Sequence, residues 1–386
     1  MTSSVSRPFW RRGFWHMDED PKRPGTLDND MDTLILDAAS RLFRETADLQ
    51  LAVLSRDPDF YATVWSGIEE IGLDAAAVPE DLGGSGAGLR ASLGMLRAAG
   101  NVALAVPLAE TILAGWLLAQ AGIPLQSGKL AFGPSGFHDH IVLDSDGRLT
   151  GRIVHLPFAR DCSRVALLAQ RGNTLWVVLA DIQDAELSVR DSLAFEPLDG
   201  VEFHQIKPVV AAPAPAAFTK DTSLLLGSLA RSIQIAGALE TMLDLTTAYV
   251  RERPAFGKTL SRFQVVQHAL AQLAGEVSVS LSVAASAVDA VDTLLGQGRG
   301  FDDPEIRLEI MSARIRTSSA AQIGARIAHQ LHGALGVTDE HVLHRLTLRA
   351  LAWRDDYGNE VQWSEELGAM LRHGDGRALW ALLAKR

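Results

Sequence analysis

Two long stretches with helical apolar spacing, residues 224–250 and 264–295, are separated only by Arg251-Glu252-Arg253-Pro254-Ala255-Phe256-Gly257-Lys258 and a short tail to Phe263. No other feature limits the fold as much. Each stretch reads as one helix, and long amphipathic helices with a short connection suit a bundle. Pro254 and Gly257 interrupt helical hydrogen bonding and allow a turn. The turn is basic, and the helix after it offers free N–H groups, so the junction is a candidate anion site. A solvated interhelical loop has the same composition, and both readings stand on the residues alone.

The rest of the chain sorts into three patterns. Residues 303–331, 340–354 and 359–384 repeat the helical spacing, with glycine breaks at 296–300 and 333–336. Upstream, helices are predicted over 31–48, 58–71, 89–99 and 108–121, the second with Asp57 as N-cap and Pro58 at the first helical position. The glycines of 73–88 make that stretch an irregular loop. From about residue 130 the spacing shifts to period two, predicting strands at 141–143, 149–154, 165–168, 175–179 and 201–206. Hairpin turns fall at Asp144-Ser145-Asp146-Gly147 and Arg171-Gly172-Asn173. The expectation is a mainly α protein: a flexible arm over 1–30, a helical domain over 31–127, a small antiparallel β domain over 128–217 ending in an Ala/Pro linker at 209–217, and a helical bundle over 218–386.

Composition narrows the function. The 386 residues carry a formal net charge of −11, which argues against a nucleic-acid partner. An anionic ligand would need local cations such as Arg251, Arg253 and Lys258. No apolar run reaches the roughly 18 residues of a membrane span, and residues 1–30 lack the apolar core of a secretory signal, so no membrane partner is expected. A single cysteine, Cys162, excludes an internal disulfide framework and a multi-cysteine metal site. It fits a cytoplasmic setting and reads as a structural thiol. Four histidines, His329, His332, His341 and His344, invite a metal. Their spacing has no His-Glu-x-x-His and is broken by glycines, so no metal site is assigned.

Four segments carry a family resemblance. Tyr249–Lys258 followed by Phe263-Gln264-Val265-Val266-Gln267-His268 resembles the flavin-binding turn of the acyl-CoA dehydrogenases. Gln330-Leu331-His332-Gly333-Ala334-Leu335-Gly336, with Glu340 and His344, resembles that family's Gln-x-His-Gly-Gly-x-Gly turn, with Ala334 replacing the second glycine of the pair. Pro79-Glu80-Asp81-Leu82-Gly83-Gly84-Ser85-Gly86 and Pro107-Leu108-Ala109-Glu110-Thr111 resemble its N-terminal domain. The resemblance implies FAD as cofactor: Arg253 on the pyrophosphate from across a subunit interface, Phe256 against the cofactor, Gln264 near the adenine, and Gln330 and Gly333 at the pyrophosphate and ribose. It also implies an acyl-CoA substrate, an electron-transfer acceptor, and a homodimer or an α2β2 assembly with a related subunit. Shortened members of the family in bacterial steroid breakdown form such α2β2 assemblies.

Two departures qualify the implied α,β-desaturation. The family's Thr-Glu-Pro…Gly-Ser-Asp segment is absent, and residues 155–163 stand in its place. The catalytic carboxylate is absent too: its usual position before a glycine falls on Tyr357-Gly358, and its alternative position on the preceding long helix falls near Gly227-Ser228. A tyrosine of ordinary pKa is a poor base at neutral pH. The nearby carboxylates are Asp355, Asp356, Glu360 and Asp244, of which Asp356 and Glu360 are the candidates for a relocated base. A flavin-dependent oxygenase or oxidase on the same fold, and a non-catalytic flavin-free partner subunit, are the alternative readings.

Overall fold

A computed structural model describes residues 26–47, 60–372 and Trp380, with side chains from Thr33 onward. Residues 1–25 of the predicted arm, the Asp57–Pro58 cap and the end of the last predicted helix lie outside the described residues, whereas residues 26–30, expected to belong to the flexible arm, form the first turn of a helix. The N-terminal part holds α1 (Thr26–Thr46), α2 (Phe60–Glu70), α3 (Gly88–Asn101) and α4 (Leu108–Gln120). Helix α4 is apolar apart from Glu110, Thr111 and Gln120 and is buried along almost its whole length, as befits a helix enclosed by other layers.

The sheet that follows has β1 (Leu130–Gly133), β2 (His140–Leu143), β3 (Leu149–Pro157), β4 (Arg164–Arg171), β5 (Thr174–Asp181), β6 (Glu186–Ser188), β7 (Leu198–Ile206) and β8 (Val210–Pro213). Their order is β6-β7-β3-β2-β4-β5-β8, with β1 beside β4. Three details differ from the sequence reading, the first being the short strand β6, which was not expected and pairs with β7. The sheet is mixed, because β1 enters from α4 and runs parallel to β4. Part of the expected linker is also an edge strand, β8, where Pro213 is tolerated because an edge need not donate on its outer side. Alternation sets the layers. Ala166, Leu168, Val177 and Leu179 join the helical core, while Val165, Leu167 and Val178 fill a separate core on the other face.

The C-terminal part is a bundle of α5 (Thr222–Glu252), α6 (Gln264–Gly296), α7 (Pro304–His332), α8 (Leu343–Trp353) and α9 (Glu360–Arg372). Asp303 caps α7 by accepting from the N–H groups of Glu305 and Ile306, with Pro304 at the first helical position. Helices α3 and α5 cross at backbone contact: a Cβ on Gly100 would lie 2.1 Å from the Gln234 carbonyl oxygen, and one on Gly237 would lie 2.2 Å from that of Arg97. Any larger residue at either position would force the helices apart and open the joint between the two helical parts.

The expectation that no stretch is long and apolar enough for a membrane span needs correction. By length and mean hydropathy α6 passes that test, because its few charges interrupt the apolar runs without lowering the average much. One face of it is committed to the bundle through Leu273, Val277, Ala284, Ala287 and Val291.

Candidate functional site

The basic junction is a two-residue β-hairpin. Helix α5 ends at Arg253, whose N–H donates to the Tyr249 carbonyl. Strands β9 (Pro254–Ala255) and β10 (Lys258–Thr259) then pair across Phe256 and Gly257, both with positive φ (51° and 81°). Positive φ at both central positions marks the turn type that matches strand twist. The turn presents Phe256 to solvent, 92% exposed. Phe263 backs it, with its ring centroid 6.2 Å from that of Phe256 and 4.3 Å from the Lys258 ammonium. Arg253 is exposed and makes no ion pair among the described residues. Gln264 opens α6, whose N-terminus no side chain caps.

The histidine-rich turn lies alongside. The His332 ring stacks on Tyr249 at 4.5 Å, one turn before Arg253, and meets His341 edge-on at 4.9 Å. Gln330, Phe256 and Gly333 are all exposed. Gly333 has φ 62° and ψ −145°, a conformation open essentially to glycine alone. The structure therefore brings both motifs together on one surface of one subunit. The histidines turn inward to their own segment. His332 Nδ1 donates to the Ala328 carbonyl, His329 Nε2 meets the Thr347 hydroxyl at 2.8 Å, and His344 Nδ1 meets the His341 carbonyl at 2.6 Å. Burial, then the neighbouring imidazoles, lowers the pKa of His329 and His341; for His332 burial again leads, and the bond to Ala328 opposes it. His332 Nε2 and His329 Nδ1 are buried without a partner among the described residues.

The positions expected to carry a catalytic carboxylate lie roughly six turns back along α5 from Tyr249. Tyr357, in left-handed backbone (φ 53°) and fully buried, lays its ring directly on Gly227. A Cβ at residue 227 would fall 2.2 Å from the Tyr357 ring. The two sequence positions thus converge on one place in space, and an aromatic ring fills it. The Tyr357 hydroxyl donates to the Phe132 carbonyl at 3.2 Å. Burial, and then the charge of Glu110, pushes its pKa well above the ordinary tyrosine value, so it is no base at neutral pH.

Asp356 is also spoken for. Its carboxylate accepts from Arg231 Nε at 2.8 Å, while Arg231 Nη2 bonds Glu110 at 2.5 Å and Nη1 bonds Gln234 at 2.7 Å. The guanidinium also lies 5.9 Å from the Trp353 ring and 5.7 Å from that of Tyr357. Burial opposes the Arg231 charge, but Glu110 and Asp356 outweigh it and hold its pKa above the ordinary value. Burial raises the pKa of Glu110 against the pull of Arg231, and its Oε2 has no partner among the described residues. Arg314 pins the turn from behind, donating to the carbonyls of Trp353, Arg354, Asp356 and Gly358, and burial lowers its pKa to about 10. A cleft of about 10 Å³ reaches Arg231 and Asp356, room for about one water.

Glu360 is half-buried at the start of α9 and is not among the groups that hold Arg231. Asp244 lies 17 residues beyond Gly227 on α5, roughly 25 Å along the helix. Residues 155–163 form the end of β3 and a short 3-10 turn. Cys162 there is buried, and burial raises its thiol pKa well above the ordinary value, in keeping with a structural thiol.

Sequence reasoning missed Arg231, Glu110 and Arg314. A signal existed: Glu110 is the one charge in α4, and Arg231 stands inside a long apolar run of α5. Isolated charges at buried helix positions need partners.

The order of helical part, sheet and helical bundle around these two regions is the acyl-CoA dehydrogenase fold. Residues 220–360 match the family model described as acyl-CoA dehydrogenase, C-terminal domain. This matched segment has the sequence of an acyl-CoA dehydrogenase C-terminal domain, and the chain as a whole is similar to acyl-CoA dehydrogenases. Acyl-CoA dehydrogenase FadE34 of Mycobacterium tuberculosis is 26% identical over 347 residues, which are 88% of this chain but 46% of that protein, so this chain spans about half its length. Among solved structures, the Tcur3481–Tcur3483 steroid ACAD superposes with TM-score 0.78 at 22% identity, covering 90% of this chain and 99% of that one. The ChsE4–ChsE5 complex from Mycobacterium tuberculosis gives 0.75 at 21%, covering 90% and 98%. PigA with FAD and proline gives 0.72 at 16%, covering 92% and 99%.

Proposed function

We propose that this chain is one subunit of an FAD-dependent acyl-CoA dehydrogenase that desaturates a bulky acyl-CoA, and that a related subunit supplies the catalytic base. The observation that carries the reading is the closed catalytic position: Tyr357 lies on Gly227, and Asp356 is tied to Arg231. Solved relatives of the fold named as two-component complexes support the heteromeric form. The steroid named for one of them supports a bulky acyl group.

The surface built from the two motifs fits a dinucleotide. Arg253 is a cation without an ion pair among the described residues, the α6 N-terminus is uncapped, and Gly333 allows backbone to approach closely without a Cβ in the way. In this reading Arg253 neutralises the pyrophosphate, Gln264 and Gln330 hydrogen-bond the adenosine end, Gly333 lets the backbone near the phosphates, and Phe256 covers the cofactor. Because all five residues are exposed on one subunit, they would serve a cofactor held against a neighbour. FAD, when bound, supplies the acceptor for the hydride leaving the β-carbon, and an electron-transfer partner then takes the electrons. A cytoplasmic setting belongs to the same reading.

The test is flavin retention by the full chain, purified alone and with a co-expressed homologue. Arg253→Ala should weaken FAD binding by about 1.5–3 kcal/mol, the worth of a charge-assisted hydrogen bond, which is roughly 10- to 150-fold in Kd. Wild-type affinity in that variant would sink the assignment, as would a colourless complex.

A further inference from the structure

Behind α5, on the side away from Tyr357, a cavity of about 100 Å³ opens where α1 and α3 meet α5 and α6. Its residues on α5, Ile233 and Ala236, lie roughly 140–200° around the helix from Arg231, at about 100° per residue. It is therefore separate from the candidate site. Small side chains from three helices create the space: Ala91 and Gly94, Ala236, and Ala284 and Ala285. None of the buried polar atoms left without a partner among the described residues belongs to its lining. The charges at its mouth are already matched, Arg90 with Asp289 at 3.0 Å and Arg97 with Glu240 through two bonds.

These facts fix the chemistry of an occupant. A hydroxyl or charge inside would give up its water partners and find no replacement. A hydrocarbon group would lose nothing and would fill contacts that the alanines leave open. The volume is somewhat below the roughly 150 Å³ of an apolar cavity that holds benzene. We infer that this cavity is a binding site for a neutral hydrocarbon group no larger than a benzene ring, carried by a small molecule whose remainder passes out between the paired charges. The seam between two helical parts of a chain is a common place for such a site.

The experiment uses benzene as the probe and phenol, of nearly the same shape, as the polar control. Binding to the full chain is followed by ligand-observed NMR and by the shift in unfolding temperature. Benzene should bind saturably and raise the unfolding temperature, and phenol should bind more weakly. Ala285→Leu and, from the facing wall, Ala91→Leu fill the space from within, so each should weaken benzene binding at least about tenfold with the circular dichroism spectrum unchanged. If one variant does not fold, the other carries the comparison. Absence of saturable binding to wild type, equal binding by a folded filled variant, or phenol binding as tightly as benzene would overturn the inference. So would dissociation of an oligomer by either substitution, since a second copy of the chain would then be what covers the cavity.

Discussion

Replacing Arg231 by methionine is the perturbation that bears hardest on the closed site. Methionine has similar reach and no charge, so it removes the hydrogen bonds to Glu110, Asp356 and Gln234 while keeping most of the volume. Glu110 and Asp356 then sit 1% and 8% exposed without their cation. Removing one partner of a buried pair costs about 3–5 kcal/mol. For a chain of 386 residues the unfolding entropy is on the order of 0.8 kcal/mol per kelvin, so the unfolding temperature should fall by about 4–6 °C. The pH dependence gives the sign. Burial already raises the folded pKa of Glu110, so the stability linked to its proton is present at low pH and lost as pH rises through that value. Without Arg231, which pulls the other way, the folded pKa climbs further and the loss reaches neutral pH. The deficit of Arg231→Met should therefore be largest near pH 7.5 and shrink toward about pH 5.5. Glu110→Gln, which keeps an acceptor for Arg231, should cost less. Thermal unfolding monitored by circular dichroism at both pH values is the assay. A variant within about 0.5 kcal/mol of wild type at neutral pH would refute the reasoning, because only surface substitutions away from such networks behave so.

Two further outcomes are expected. Gly227→Ala drives a methyl into the Tyr357 ring and should destabilise by about 1–3 kcal/mol, the usual cost of overpacking; combining it with Tyr357→Leu should recover part of the loss, and simple additivity would argue against the contact. The histidine turn should be acid-sensitive. Because the folded pKa values of His329, His332 and His341 are depressed, their linked stability is present above the ordinary value of about 6.5 and lost as pH falls below it. His332→Phe, which keeps a ring to stack on Tyr249, should blunt that loss, and an unchanged pH profile would show that His332 takes no part.

The periodic parts of the fold were legible because each helix writes its buried face into local spacing. The bundle from 222 to 372 follows the sequence reading to within a few residues at most ends, and the Asp303–Pro304 cap is a local signal of the same kind. Strands β1 and β8 were not legible. A four-residue apolar strand such as 130–133 has no period to read, and its parallel pairing with β4 is decided by where α4 delivers the chain. The candidate site divides the same way. Residues Arg253, Phe256, Gln264, Gln330 and Gly333 were named from the family resemblance of two local segments, and the Tyr249–His332 stack brings those segments together. The isolated charges of Glu110 and Arg231 signalled a need for partners, but not which ones, because Glu110 and Asp356 stand 121 and 125 residues from Arg231. Asp356 looked available in sequence because nothing local reveals that contact.

The central claim is that this chain holds no base of its own at the catalytic position. Steady-state oxidation of a panel of acyl-CoA thioesters, straight-chain and bulky, tests it most directly. The measurement compares the purified chain alone with the chain co-assembled with a homologue that keeps the glutamate. Alone, turnover should lie about 10²–10⁴-fold below that of the assembly, the span that a positioned base contributes. Ordinary turnover by the chain alone would contradict the account. If that turnover disappeared in Asp356→Asn or Glu360→Gln, it would identify the base that the Arg231 network and the start of α9 were taken not to provide.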